Sequence, residues 1–238
     1  MEYNNFKEEL LYKMKKIDVE LTEKQVKQFY NYMNLLIEWN NKINLTAITE
    51  PKEIILKHFV DCATINKFID KNKVLDIGTG AGFPGIPLKI INENLEITLA
   101  DSLNKRIKFL DIVIETLELN KIETIHARAE ELAKNKKYRE SYDIVVSRAV
   151  AALNVLLEYT TPFIKVGGKV ICMKGNNVEE EIKESKNAIK ILGTKMLPVE
   201  KAILPDTEIT RNIITVEKIK NTPAKYPRKA GTPAKEPL

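Results

Sequence analysis

An α/β fold with a mostly parallel sheet is predicted by three features of the sequence. From Lys73 onward, short apolar runs rich in branched residues alternate with segments whose apolar residues recur at helical spacing. The first of these runs, Val74-Leu75-Asp76-Ile77, passes directly into Gly78, Gly80, Gly82 and Gly85, four of the chain's nine glycines. Before Lys73 only helical patterns are found. A strand entering clustered glycines and then a helix brings backbone close to a ligand, because glycine adds no side chain and tolerates positive φ. A nucleotide-like cofactor is expected there.

In order, residues 6–15 read as a short helix. Thr22 and Gln25 form a capping box at the start of a second, with Val26, Phe29, Tyr30, Met33, Leu36 and Ile37 on one apolar face and an end near Trp39-Asn40-Asn41. A third helix starts at Pro51 and buries Ile55, Phe59 and Cys62; His58 lies on it and reads as a packing or surface residue. After the glycine loop, residues 96–100 form a strand ending at Asp101. The next helix carries Leu103, Ile107, Leu110, Ile114 and Leu117, with Lys105, Arg106 and Lys108 exposed in its first turn. A strand over 122–126 leads into Ala127-Arg128-Ala129-Glu130 and a short helix. Residues 142–146 form the fourth strand, running into Ser147-Arg148-Ala149. A helix over 152–159, a Gly167-Gly168 turn, a strand over 169–173 and a helix marked by Val178, Ile182, Ile189 and Leu192 follow. Two last strands fall near 202–204 and 212–219. The expected division is 1–69 as a helical extension, 70–220 as the sheet domain and 221–238 as an arm.

The 238 residues suffice for a sizeable core. The sequence has no apolar run of membrane-spanning length, and MEYNNFKEEL is no secretory signal, so a cytoplasmic protein is expected. Cys62 and Cys172 are read as unpaired thiols of a reduced compartment, and no metal site is expected. The net charge is +5; residues 217–238 hold six Lys or Arg against two Glu, or +4, which leaves +1 for the rest. This basic excess points to an anionic partner. Four of the ten prolines also fall in that tail, which favours an extended arm ordered against the protein or an RNA over a regular helix.

Two frames run through the glycines. Gly80-x-Gly82-x-x-Gly85, with Asp101 about 20 residues on, fits the dinucleotide fingerprint. Asp76-x-Gly78-x-Gly80-x-Gly82 resembles motif I of class I S-adenosylmethionine methyltransferases. The second frame is favoured, because Pro84 and Pro87 lack the N–H groups a pyrophosphate needs.

Several segments together resemble the RsmG/GidB family of bacterial 16S rRNA guanine-N7 methyltransferases: Trp39-Asn40 with Asn44-Leu45-Thr46, VLDIGTGAGFPGIPL, DSLNKRIKFL, HARAEEL, SRAVAAL and TPAKYPRKAGTPAKEPL. They extend from Trp39 to the C-terminus. The resemblance implies a class I methyltransferase (Rossmann-like) fold with a seven-stranded, mostly parallel sheet, S-adenosyl-L-methionine as methyl donor, and 16S rRNA or a small-subunit assembly particle as substrate, met by a monomer. The cofactor residues implied by the resemblance are Gly78, Phe83, Ala129, Glu130 and Arg148; the glycine loop and the end of the second strand add Gly80 and Asp101. The implied basic residues near the reacting guanine are Lys105, Arg128, Arg148 and Arg211. Asp101 is expected to accept hydrogen bonds from the ribose hydroxyls. Ser147-Arg148-Ala149 stands where exocyclic-amine methyltransferases carry Asn/Asp-Pro-Pro-aromatic. A ring nitrogen with a free lone pair needs no such device. A nucleotide-dependent oxidoreductase and a non-catalytic RNA-binding protein of the same fold remain as alternatives.

Overall fold

The computed structural model describes residues 1–176 and 178–238. Two long helices come first, α1 (Tyr3–Lys15) and α2 (Glu23–Ile43). The capping box forms as expected: Thr22 Oγ1 accepts from the Gln25 N–H, and the Gln25 side chain accepts from the Thr22 N–H at 2.8 Å. Helix α2 runs two residues past its expected end and stops at Asn44, whose φ of 49° lies in the left-handed region that Asn tolerates. A third helical segment passes through α3 (Pro51–Ile54), a π-helical stretch (Ile55–Val60) and α4 (Asp61–Ala63).

The sheet follows: β1 (Lys73–Ile77), α5 (Gly85–Ile91), β2 (Glu96–Asp101), α6 (Asn104–Thr116), β3 (Ile122–His126), α7 (Ala129–Leu132), β4 (Tyr142–Arg148), α8 (Leu153–Thr160), β5 (Ile164–Lys174), α9 (Val178–Glu184), α10 (Lys186–Leu192), β6 (Thr194–Met196), β7 (Glu200–Ile203), β8 (Thr210–Lys218) and α11 (Thr232–Lys235). The strand order is β3-β2-β1-β4-β5-β8-β6, with β7 also on β8. Strands β1 to β5 pair in parallel, and β8 is antiparallel to β5. The sheet has eight strands rather than seven because β6 and β7 share the place beside β8. Pro198, which has no N–H to donate, stands between them.

Other departures are local. Gly167 and Gly168 lie inside β5 as a bulge, where the register on β4 jumps from Tyr142–Ile164 to Ile144–Lys169. The helix expected over 178–192 is broken at Ser185, whose hydroxyl donates to the Glu181 carbonyl at 2.6 Å.

Alternation along the strands feeds two apolar layers. Val74, Ile144, Val146 and Ile171 face α5 and α6, while Leu75, Ile77, Val145 and Val170 face α8 and α10. Phe6, Phe29, Tyr32 and Met33 of the N-terminal helices join the first layer, so these helices share one core with the sheet. The chain reverses direction about β1, which pairs with β2 on one side and β4 on the other. Such a switch point opens a crevice at the C-terminal strand ends.

At this crevice Gly85 opens α5 under tight packing. A Cβ there would lie 2.4 Å from Leu99 Cδ2 and 2.9 Å from Asp76 Oδ2. Gly85→Ala should therefore destabilise the protein by about 1–3 kcal/mol, seen as a lower urea midpoint at unchanged m-value. An unaltered midpoint would show that the close approach is not required.

Candidate active site

The glycine loop is pinned from two strands. Asp76, fully buried in β1, accepts through Oδ2 from Thr79 Oγ1 at 2.7 Å and from the Gly85 N–H at 2.8 Å. Asp101, at the end of β2, accepts from the Gly80 N–H at 2.9 Å, the Leu103 N–H at 2.9 Å and Arg106 Nη1 at 3.2 Å. Four more of the loop's amides turn inward: Gly78 and Thr79 donate to the Ala100 carbonyl, Gly82 and Phe83 to the Thr79 carbonyl. With these six amides spent internally the loop has few N–H groups left to cradle a pyrophosphate, which disfavours the dinucleotide frame. Helix α2 closes the back of the loop, with Tyr32 Oη donating to the Ala81 carbonyl at 2.5 Å.

Two clefts meet at Gly78. The smaller, about 190 Å³, is lined by Asp101, Ser102, Arg128, Ala129, Glu130, Val150 and Tyr159. The larger, about 460 Å³, is lined by Thr46, Lys57, His58, Asp61, Phe83, Arg106, Arg148, Lys174 and Arg211. A Cβ on Gly78 would lie 2.6 Å from Val150 Cγ2, and its φ of 68° is left-handed, so glycine keeps the passage between the clefts open.

The larger cleft is organised by Asp61, which is 1% exposed. Its Oδ2 accepts from Arg148 Nη1 at 3.2 Å and its Oδ1 from Arg211 Nε at 2.9 Å. Arg148 also donates to the Lys57 carbonyl and, through Nη2, to His58 Nδ1, both at 3.0 Å. A guanidinium only donates, so His58 Nδ1 accepts and its proton sits on Nε2, which donates to Thr46 Oγ1 at 2.9 Å. Burial and the facing Arg148 push the His58 pKa down to about 3, so the ring is neutral throughout the physiological range. Phe83 stacks on His58 at 4.4 Å between centroids, and Arg148 Cζ lies 4.9 Å from the Phe83 centroid. The π-helical stretch turns the Lys57 carbonyl and the His58 and Asp61 side chains together onto Arg148. Asn40 shapes the rim by accepting from the Leu45 and Thr46 N–H groups at 2.7 and 2.8 Å.

Gly78, Gly80, Phe83, Arg148 and Arg211 thus line the larger cleft, and Asp101, Arg128, Ala129 and Glu130 the smaller. Lys105 is exposed on α6 and lines neither. Arg106, read with Lys105 and Lys108 as exposed in that first turn, lies on Asp101 instead. Asp61 was missed because a carboxylate inside an apolar helix pattern gives no sign of two arginines about 90 and 150 residues later. His58 was read as a packing residue, and it does pack, but it also aims Arg148. The usable signal was its spacing to Asp61, which puts both on one helical face. Burial pushes the thiols of Cys62 and Cys172 up to about 12, so neither is a nucleophile at neutral pH.

The doubly wound sheet, with its switch point at β1 and its last strand antiparallel, has the class I methyltransferase fold. Among solved structures, TYW2 of M. jannaschii in complex with AdoMet shares the fold (TM-score 0.51, 18% identity, 67% of this chain and 77% of that one). YcgJ of Bacillus subtilis does so as well (TM-score 0.53, 12% identity, 69% of this chain and 100% of that one). The family model for rRNA small subunit methyltransferase G matches residues 25–210. Proteins named ribosomal RNA small subunit methyltransferase G are similar almost end to end. That of Alkaliphilus oremlandii is 49% identical (93% of this chain, 94% of the relative). That of Clostridium tetani is 52% identical (93% and 94%) and that of Acetivibrio thermocellus 54% (92% and 91%). The chain belongs to the rRNA small subunit methyltransferase G family. It is therefore a methyltransferase and not an oxidoreductase. Among the described residues, no helix is long and apolar enough to cross a membrane.

Burial raises the Asp76 carboxyl to about 7, against the lowering effect of the Thr79 and Gly85 hydrogen bonds. A carboxyl whose folded pKa exceeds its unfolded value of about 4 favours folding at low pH and loses that contribution as pH rises through about 7. The stability of the parent protein should thus fall between about pH 4 and 7 relative to Asp76→Asn, which keeps an acceptor for Thr79 and Gly85 but does not titrate. Urea midpoints of both proteins across that range check this. Parallel curves would mean that Asp76 titrates normally.

Proposed function

We propose that the protein transfers the methyl group of S-adenosylmethionine to N7 of a guanosine in 16S ribosomal RNA. The observation carrying this reading is the pair of clefts joined at Gly78, with carboxylates (Asp101, Glu130) on one side and guanidiniums (Arg148, Arg211) on the other. Carboxylates suit the hydroxyls and amino group of an adenosine; guanidiniums suit the oxygens of a guanine nucleotide. Residues 70–220 form the catalytic unit in this reading, 1–69 the helical extension and 221–238 the arm. The protein works as a cytoplasmic monomer on rRNA or a small-subunit assembly particle.

S-adenosylmethionine, when bound, supplies an electrophilic methyl group on a cationic sulfur. Asp101 and Glu130 hold its ribose and adenine, with Ala129 offering its backbone to the adenine edge. A ribose hydroxyl donating to Asp101 would compete there with the part-exposed Arg106 guanidinium, 3.2 Å from Oδ2. On the guanine side the arginines divide the work. Three Arg148 donors are committed to Lys57, Asp61 and His58, so this residue acts through its fixed charge and planar face. Arg211 is tied to Asp61 through Nε, and its Nη1 makes one long contact with the Thr210 carbonyl at 3.5 Å, which leaves Nη2 for guanine O6 or a phosphate. A donor on N7 itself would block the attacking lone pair, so a fork aimed at O6 favours reaction. Arg128, exposed at the mouth of the smaller cleft, and Lys105, exposed on α6, meet the RNA backbone.

The test is to map N7-methylguanine in 16S rRNA from cells with and without the protein, and from cells carrying Arg211→Ala. The modification should vanish without the protein. In vitro, Arg211→Ala should lower kcat/KM for RNA by the equivalent of about 1.5–3 kcal/mol, the worth of a charge-assisted hydrogen bond to O6 or a phosphate. Methylation that persists in the deleted strain would overturn the assignment.

Guanine N7 carries no proton, so no general base is required and His58 stays neutral far above its pKa of about 3. Single-turnover rates at saturating RNA and cofactor should lack a histidine-dependent limb across neutral pH. A steep limb near pH 6–7 that His126→Ala abolishes would sink the base-free mechanism. Any contribution from Asp76 is read separately with Asp76→Asn.

A further inference from the structure

The basic C-terminal segment is ordered against the protein, and its cations are partly spent in holding it there. Arg139 anchors its start, donating to the Tyr226 carbonyl at 2.8 Å and the Thr222 carbonyl at 2.9 Å. Tyr226, 6% exposed, packs into the apolar layer beneath α8 and α10. The main anchor is Arg228 on Glu158, a carboxylate of α8 with no exposed surface. Glu158 Oε1 accepts from the Arg228 N–H at 2.7 Å and from Nε at 3.0 Å, and Oε2 accepts from Nη2 at 2.7 Å. Nη2 also donates to the Glu236 carbonyl at 2.7 Å, which closes the segment on itself around α11. Three residues past Arg228 the chain reaches the smaller cleft, where the Gly231 N–H donates to Glu130 Oε1 at 3.1 Å. Gly231 has a φ of 84°, in the left-handed region. The next residue of α8 after Glu158 is Tyr159, which lines the same cleft as Glu130.

From this geometry we propose that the arm is a wall of the cofactor site, with Arg228 as a positioning residue that fixes Glu130 and Tyr159. The proposal rests on the reading of the smaller cleft as the adenosine site. Gly231 takes one oxygen of Glu130 and so orients the carboxylate, leaving Oε2 for the ligand. The Arg228–Glu158 pair sets where Gly231 can stand, because only Lys229 and Ala230 separate Arg228 from Gly231.

 Loss of the anchor therefore frees the Glu130 side chain and loosens α8 beside Tyr159. By linkage, if the docked arm favours the cofactor, the cofactor must favour the docked arm by the same factor.

The experiment uses the full chain and S-adenosylhomocysteine as the probe. Calorimetry compares the parent with Arg228→Met and with the paired variant Glu158→Leu/Arg228→Met. The paired variant removes the ion pair without stranding a buried carboxylate, and so keeps the fold where Arg228→Met loses it. Affinity should fall by about 5- to 50-fold in either folded variant. The KM for S-adenosylmethionine should rise while kcat at saturation stays unchanged. In the parent, hydrogen exchange over residues 222–236 should slow by a similar factor when the probe is bound. That measurement needs no variant and decides the matter by itself if neither variant folds. Exchange that the probe leaves unaltered, or a folded variant that binds within twofold of the parent, would overturn the proposal. A parent protein that binds no probe at all would instead overturn the cofactor reading on which the proposal rests.

Discussion

The buried carboxylate of Asp76 fixes the turn from which both clefts are built. It sits inside β1 with no exposed surface, and its Oδ2 gathers the Thr79 hydroxyl and the Gly85 N–H. Its other oxygen has no hydrogen-bond partner among the described residues, so the clasp is held against a desolvation cost that raises its pKa to about 7. What the clasp secures is a loop whose amides face inward and whose glycines leave room in front. Asp101 completes the hold from the next strand through the Gly80 N–H. A loop fixed in this way presents bare glycine Cα positions rather than a nest of N–H groups, which suits a cofactor without phosphates at that point.

The larger cleft is governed by a second buried carboxylate in the same manner. Asp61 joins Arg148 and Arg211, and the neutral ring of His58 takes one more Arg148 proton. Two guanidiniums side by side would repel, and a carboxylate between them offsets that repulsion while leaving the site cationic. Arg148 ends up rigid and largely satisfied, whereas Arg211 keeps donors toward the cleft. Residues of one type and charge therefore have different chemical uses, set by how many of their hydrogens are already spent.

The same accounting applies to the arm. Its basic excess suggests a nucleic-acid tether, but Arg228 is closed onto Glu158 and so is spent in holding the fold. Lys218, at the end of β8, is likewise spent on Glu140 with no exposed side-chain surface. Net charge counted along a sequence overstates what a partner encounters, because folding consumes part of it.

Much of the chain was legible as sequence. The parallel α/β order, the glycine loop after β1, the capped helix α2 and the resemblance carried by the motifs all follow from local patterns: period-two and period-3.6 apolar spacing, cap chemistry, and glycines where backbone must come close. The shared outer place of β6 and β7, the bulge at Gly167 and Gly168, and the break at Ser185 were not legible, since each is settled by pairing or packing with distant segments. The site divides in the same way. Gly78, Phe83, Asp101 and Arg148 announce themselves by their place after strand ends, whereas Asp61, His58 and Arg228 gain their roles only from partners 70 to 150 positions away. The sequence by itself determined the fold class, the family and the glycine loop after β1, because these depend on short-range spacing. The tertiary structure alone decided which charges are paired and which are free, because an ion pair depends on distance in space, and the chain order does not encode it.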